Sequence, residues 1–179
     1  NHLDKFNKFM KHENANKVTI EDAKCGKVIC KRCRWYVANK HLWETLNSYG
    51  CTPRKSLTLK FPDKSIFKSK DLIRHFIRGY FDGDGWVSMS NKRMKFEVGF
   101  IGTYEMMAFI RDCLHSFGVS NVKISKDKKG SKANTYSMCY GSLLDCEKIF
   151  NLFYYYCNIF LKRKFEKFDK IFYFGHKPF

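Results

Sequence analysis

The run Phe76-Ile77-Arg78-Gly79-Tyr80-Phe81-Asp82-Gly83-Asp84-Gly85-Trp86-Val87 constrains this chain more than any other stretch. Leu72, Ile73, Phe76, Ile77, Tyr80 and Phe81 follow the i, i+3/i+4 spacing of one helix face, and Asp71 is placed to cap its start. Gly79 sits on that stripe, where a missing side chain lets a second helix come close. Gly83 and Gly85 are expected to stop the helix. Asp82 and Asp84 then fall at a helix C-terminus, the end whose dipole disfavours carboxylates. Carboxylates held there predict a bound cation close by. An ordinary Asp-Gly turn accounts for one such pair; it does not account for the stripe, the glycines and the paired acids together.

Charge narrows the class of partner. The 179 residues carry 34 Lys and Arg against 17 Asp and Glu, a net charge of +17. Such a surface repels itself, and a polyanion offsets that repulsion. The basic residues are spread through folded segments and form no isolated basic amphipathic helix, which favours nucleic acid over a membrane surface. No apolar run approaches a membrane span and no signal peptide is visible, so the chain reads as soluble and intracellular. A hydrophobic content of 44% supports a sizeable core.

The cysteines add little chemistry. Cys113, Cys139, Cys146 and Cys157 fall inside apolar patterns, as small buried hydrophobes do. Cys25, Cys30 and Cys33 are spaced C-x4-C-x2-C, and zinc would need a fourth ligand such as Cys51 or His41. No second C-x2-C follows, so structural thiols, reduced by default, are the reading preferred over zinc. The six histidines form no metal-nuclease or zinc-protease spacing, and neither a G-x-S-x-G elbow nor a Walker A loop is present.

Beyond the first helix the pattern is strand, strand, helix, strand, strand, helix. Trp86 to Ser90 and Met94 to Ile101 alternate around a turn at 91–93, as a hairpin does. Thr103 can cap a helix reaching about Phe117 before Gly118. Val119 to Ser125 and Asn134 to Tyr140 predict a second hairpin, and Ser142 starts a helix to about Tyr155. The N-terminal third repeats the later half of this unit as helix (2–11), strand (17–20), strand (28–37) and helix (41–49). The expected organisation is a partial repeat over 1–56, a linker over 57–70 and a full repeat over 71–179.

Ile77 to Gly85 lies over the nine letters of the LAGLIDADG motif, and the dodecamer closely resembles that of the LAGLIDADG homing endonucleases. Arg78 stands for the motif's small second residue, and Tyr80 and Phe81 for aliphatics, while the helix glycine and the terminal acid are kept. The resemblance implies an α+β fold of αββαββα repeats, with antiparallel DNA-binding sheets and helices on the opposite face. It also implies two motif helices packed together, here through Gly79, Ile77 and Tyr80, each bringing one acid to a shared active site. Only one motif is visible and the first repeat is incomplete. The other helix is therefore expected from a missing N-terminal segment or, in a dimer, from a second chain.

The same resemblance assigns roles. Asp84 would bind the catalytic metal, Mg²⁺ or Mn²⁺, with the Gly83 carbonyl beside it. Asp82 would be a helix-end residue or a partner for Arg78. Lys164, and Lys55 as its counterpart in the first copy, would activate water or stabilise charge. Thr103 would orient a water or only cap its helix. On the implied sheets Arg32, Arg34 and Tyr36 face DNA, with Cys33, Trp35 and Val37 on the helix side. Ser88, Ser90, Lys95, Lys123, Ser125, Thr135 and Ser137 extend that face; Glu97 and Gly99 also point outward, and Met94, Phe96, Val98 and Phe100 form core. Lys92, Arg93, Lys126, Lys128, Lys129 and Lys132 would grip phosphates from loops.

The expected function is a site-specific, metal-dependent double-strand DNA endonuclease of the homing type, acting on double-stranded DNA. The alternative is a catalytically inactive relative that binds nucleic acid, such as an intron maturase or a transcription regulator. An intein-borne domain has no support, because no terminal His-Asn is present.

Overall fold

The computed structural model describes residues 2–10, 18–26, 28–90, 95–127 and 134–175. Within these, six α-helices and two antiparallel sheets make an α+β fold. The chain divides into two compact units, Asn1–Thr45 and Leu46–Phe179.

In the first unit, α1 (His2–Met10) precedes β1 (Thr19–Cys25) and β2 (Val28–Arg34), an antiparallel pair turned at Gly26 with φ +65°. Trp35 donates from its indole to Asn7 Oδ1 at 2.8 Å and meets Phe6 edge-on, which ties the strand exit to α1. Asn39 caps α2 (Lys40–Ser48) by accepting the Leu42 N–H at 2.7 Å; this helix runs across the boundary between the units. Cys30 is disulfide-bonded, which corrects the expectation of reduced thiols throughout.

The second unit contains α3 (Lys70–Asp84), β3 (Trp86–Ser90), β4 (Lys95–Gly102), α4 (Tyr104–Ser116), β5 (Ser125–Lys126), β6 (Tyr136–Tyr140), α5 (Leu143–Tyr154) and α6 (Lys162–Gly175). The first seven of these elements spell αββαββα, and α1-β1-β2-α2 has the order of its later half. The sheet runs β3-β4-β6-β5. Val87, Val98, Phe100, Met138 and Tyr140 alternate onto one face and are buried under the helices. Phe81 sits in the middle of this core, fully buried, its ring 5.2, 5.4 and 5.9 Å from those of Phe100, Phe153 and Phe168.

Several boundaries differ from the sequence reading for identifiable reasons. Ser69, not Asp71, caps α3 by accepting the Leu72 N–H. Asp71 lies in the first turn, where it holds Arg74 and sits 3.3 Å from His75 Nε2. Arg74 reaches on to the Leu152 and Tyr155 carbonyls, at 3.0 and 3.1 Å, and so ties α3 to the end of α5. At its other end α3 runs through Gly83 to Asp84. Gly85 is the C-cap, with extended angles of φ −75° and ψ 169°; glycine is required there because a Cβ would collide with the Phe81 ring.

The strand expected at Val119–Ser125 shrinks to Ser125–Lys126 because its backbone is engaged elsewhere. Val119 N–H bonds Leu114 O, closing the turn at Gly118 (φ +85°), and Ser120 N–H bonds Asp145 Oδ1 at 3.0 Å. Alternation survives without the ladder: Val122 and Ile124 pack toward the core while Lys123 and Ser125 are exposed.

Truncating the ring at the centre of this core is expected to cost about 3–5 kcal/mol. Urea denaturation of Phe81→Ala against wild type measures it; a loss below ~1 kcal/mol would place the core elsewhere.

Candidate active site and nucleic-acid interface

The acidic end of α3 is held by α6. Lys164, only 3% exposed, donates from Nζ to the carbonyls of Phe81 and Gly85 and lies 4.8 Å over the Phe81 ring centroid. In return Asp82 Oδ2 accepts the Leu161 N–H at 3.1 Å, one residue before α6 begins. Asp82 thus sits at the C-terminus of one helix and the N-terminus of another, and the second dipole favours the charge that the first disfavours. Burial, reinforced by Arg163, pushes the Lys164 amine down to about 8, with Asp82 and Asp84 opposing. Arg78 instead reaches His75 Nδ1 at 2.6 Å and the Phe153 carbonyl at 3.4 Å.

Asp84 is the last residue of α3 and is exposed, as is Gly83. Its charge, after burial, helps to push the Tyr80 phenol up to about 12. Tyr80 donates to the Ile101 carbonyl at 2.8 Å. Ile77 is fully buried in the core of its own unit. Two of the three residues expected on a helix–helix seam therefore pack inside this unit. Gly79 keeps an open side: within the unit nothing lies within 4 Å of where its Cβ would be.

Thr103 caps α4. It is 1% exposed, accepts the Met106 N–H and donates to the Leu59 carbonyl. Lys55 opens a short 3-10 turn, Lys55–Leu57, and is half-buried.

The face of the sheet away from the helices carries Trp86 and Ser88 on β3, Lys95, Glu97 and Gly99 on β4, Ser137 on β6 and Ser125 on β5, aligned by the register. Ser90 pairs with Lys95 at the end of that row. Lys123 is exposed and Thr135 half-buried. Lys126 pairs with Tyr136, which puts it on the opposite parity from Ser125. In the first unit Arg32 and Arg34 approach Glu21 at 3.8 and 3.1 Å, and Tyr36 is 68% exposed. Lys92, Arg93, Lys128, Lys129 and Lys132 lie outside the described residues.

Sequence reasoning missed the role of Trp86. Its ring covers Gly99, so Gly99 is buried rather than open, and its indole donates to Glu97 Oε1 at 2.8 Å. The signal was available: an aromatic paired with a glycine across a hairpin is a familiar way to shield a side-chain gap.

A LAGLIDADG-like domain matches residues 71–172, more than half of the chain. The chain belongs to the LAGLIDADG family, whose members generally bind nucleic acid and are commonly nucleases. No curated protein matches it. No helix among the described residues is long and apolar enough to cross a membrane.

Replacing Lys164 by Met leaves two carbonyls without their ammonium donor, an expected loss of about 1–3 kcal/mol. The folded amine, near 8, lies below the ordinary 10.5. Across that interval the unfolded chain holds a proton that the folded chain has released. This group's contribution to stability therefore rises with pH through the window. Denaturation curves at several pH values are expected to show that rise in wild type and to lack it in Lys164→Met.

Proposed function

We propose that this chain is part of a metal-dependent, site-specific endonuclease that hydrolyses both strands of double-stranded DNA. The observation that carries the reading is the exposed Asp84 at the held end of the motif helix, directly before the first strand of a sheet with an open polar face. The net charge of +17 supports a polyanionic partner.

The donor set suits Mg²⁺ or Mn²⁺. Asp84 offers a carboxylate, and the Gly83 carbonyl belongs to a last helical turn whose carbonyls lack intrahelical partners. A hard cation that takes few carboxylates and keeps its waters fits such a sparse site. Among the described residues no three His, Cys, Asp or Glu gather as a closed protein cage would require. When bound, the metal would neutralise phosphate charge and supply a nucleophilic water.

The chain's own residues then divide the work. Asp84 would hold the metal, with Gly83 beside it. Lys164 turns its ammonium to backbone carbonyls, so it acts by fixing the end of α3 and is a positioning residue. Ser88, Lys95, Lys123, Ser125 and Ser137 would meet base edges or phosphates, with Arg32, Arg34 and Tyr36 doing so from the first unit. A second acid would come from a preceding segment or from another chain, packed along the open side of Gly79.

Supercoiled-plasmid cleavage carrying the natural insertion site, with Mg²⁺ present, tests the assignment. Asp84→Asn is expected to abolish cleavage while leaving DNA binding in place. Cleavage at the wild-type rate by the variant would remove Asp84 from the chemistry.

A further inference from the structure

Among the described residues β3 is an edge strand that pairs with β4 alone, so alternate backbone groups on its outer side lack a sheet partner there. α6 runs beside that edge, held at its start by Lys164 and further along by the buried Phe168 and Ile171. Between the two lies an open groove of about 380 Å³ lined by Val87, Ser88, Met89, Lys167 and Lys170. Its apolar floor comes from Val87 and Met89. Its polar lining residues are exposed Ser88 and two exposed lysines spaced i, i+3 on one side of α6.

The charge in this groove is not neutralised locally. Among the described residues no ion pair engages Lys167 or Lys170, while Glu166 faces Lys162 at 3.5 Å. Two cations lining one groove match a phosphate oxygen set, since ammonium groups bind phosphate as point charges. Ser88 also belongs to the open face of the sheet, so a duplex lying on that face would bring its backbone past this edge. Lys167 and Lys170 follow Lys164 by one and two helical turns, about 4.5 and 9 Å along α6. The groove therefore leads away from the acidic end of α3.

We propose that the groove between α6 and β3 is a phosphodiester-binding site, in which Lys167, Lys170 and Ser88 hold the backbone of the bound nucleic acid beside the catalytic end of the motif helix. The site rests on the DNA-binding reading above and adds to it a helix that the sheet-based interface does not include. Its contribution is to register and affinity, not to sequence choice, because phosphate contacts carry no base information.

The test uses the whole chain and a 30-base-pair duplex of random sequence, with affinity measured by fluorescence anisotropy from low to moderate salt. Wild type is compared with Lys167→Gln/Lys170→Gln and with Lys167→Arg/Lys170→Arg, each checked for an unchanged melting temperature. Each neutralised phosphate contributes about 0.9 to the slope of log K against log salt, so the Gln pair is expected to lower the slope by about 1.8. The Arg pair is expected to keep it. A wild-type slope in the Gln pair would overturn the groove and leave the lysines as guards of an exposed strand edge. Absence of salt-dependent binding by wild type would overturn the DNA-binding reading itself, and the groove with it.

Discussion

The organisation of the second unit depends on the reciprocal grip between the end of α3 and the start of α6. A carboxylate of α3 accepts the N–H of Leu161, and a buried ammonium of α6 answers the carbonyls of Phe81 and Gly85. Each half of the grip would be costly alone. A buried lysine without partners loses its hydration, and a carboxylate at a helix C-terminus opposes the dipole. Together each supplies what the other lacks. The Phe81 ring fills the space beneath, and Gly85 is the residue that lets the chain turn over that ring into β3. The outcome is a tethered helix end at which Asp84 is exposed.

The sheet complements this arrangement by separating its two faces. Its inner face, with Val98, Phe100 and Tyr140, anchors the helices. Its other face presents serines, lysines and a tryptophan laid over glycine. Burial on one side therefore fixes register, and register decides which side chains are offered to a partner. In a protein of net charge +17, an open face edged by lysines suits a polyanion.

How much of this was legible in the sequence follows from the range of each interaction. The motif helix, the Thr103 cap, the turn at Gly118 and the β3–β4 hairpin rest on neighbours a few residues apart, and local pattern revealed them. The grip does not: Lys164 meets Phe81 across 83 residues, so a reading of the chain could place the lysine near the site only by resemblance and could not see that its ammonium is spent on carbonyls. Thr103 shows the same limit, since its second bond, to Leu59, lies 44 residues away and no local pattern predicts it. The shortening of β5 was illegible for a related reason, because Asp145 of a later helix takes the Ser120 N–H that a ladder would have used. Trp86 over Gly99 could have been read from hairpin register, and Asp71 was displaced as cap by Ser69 only two residues away.

Asp82 and Lys164 act as one unit in holding the end of α3. A double-mutant cycle on stability, built from Asp82→Asn, Lys164→Met and the pair, measures this directly. Coupled residues give interaction energies of about 0.5–3 kcal/mol, and a value in that range is predicted here. Additivity within about 0.3 kcal/mol would contradict the account, because it would mean that the two contacts hold the helix end independently.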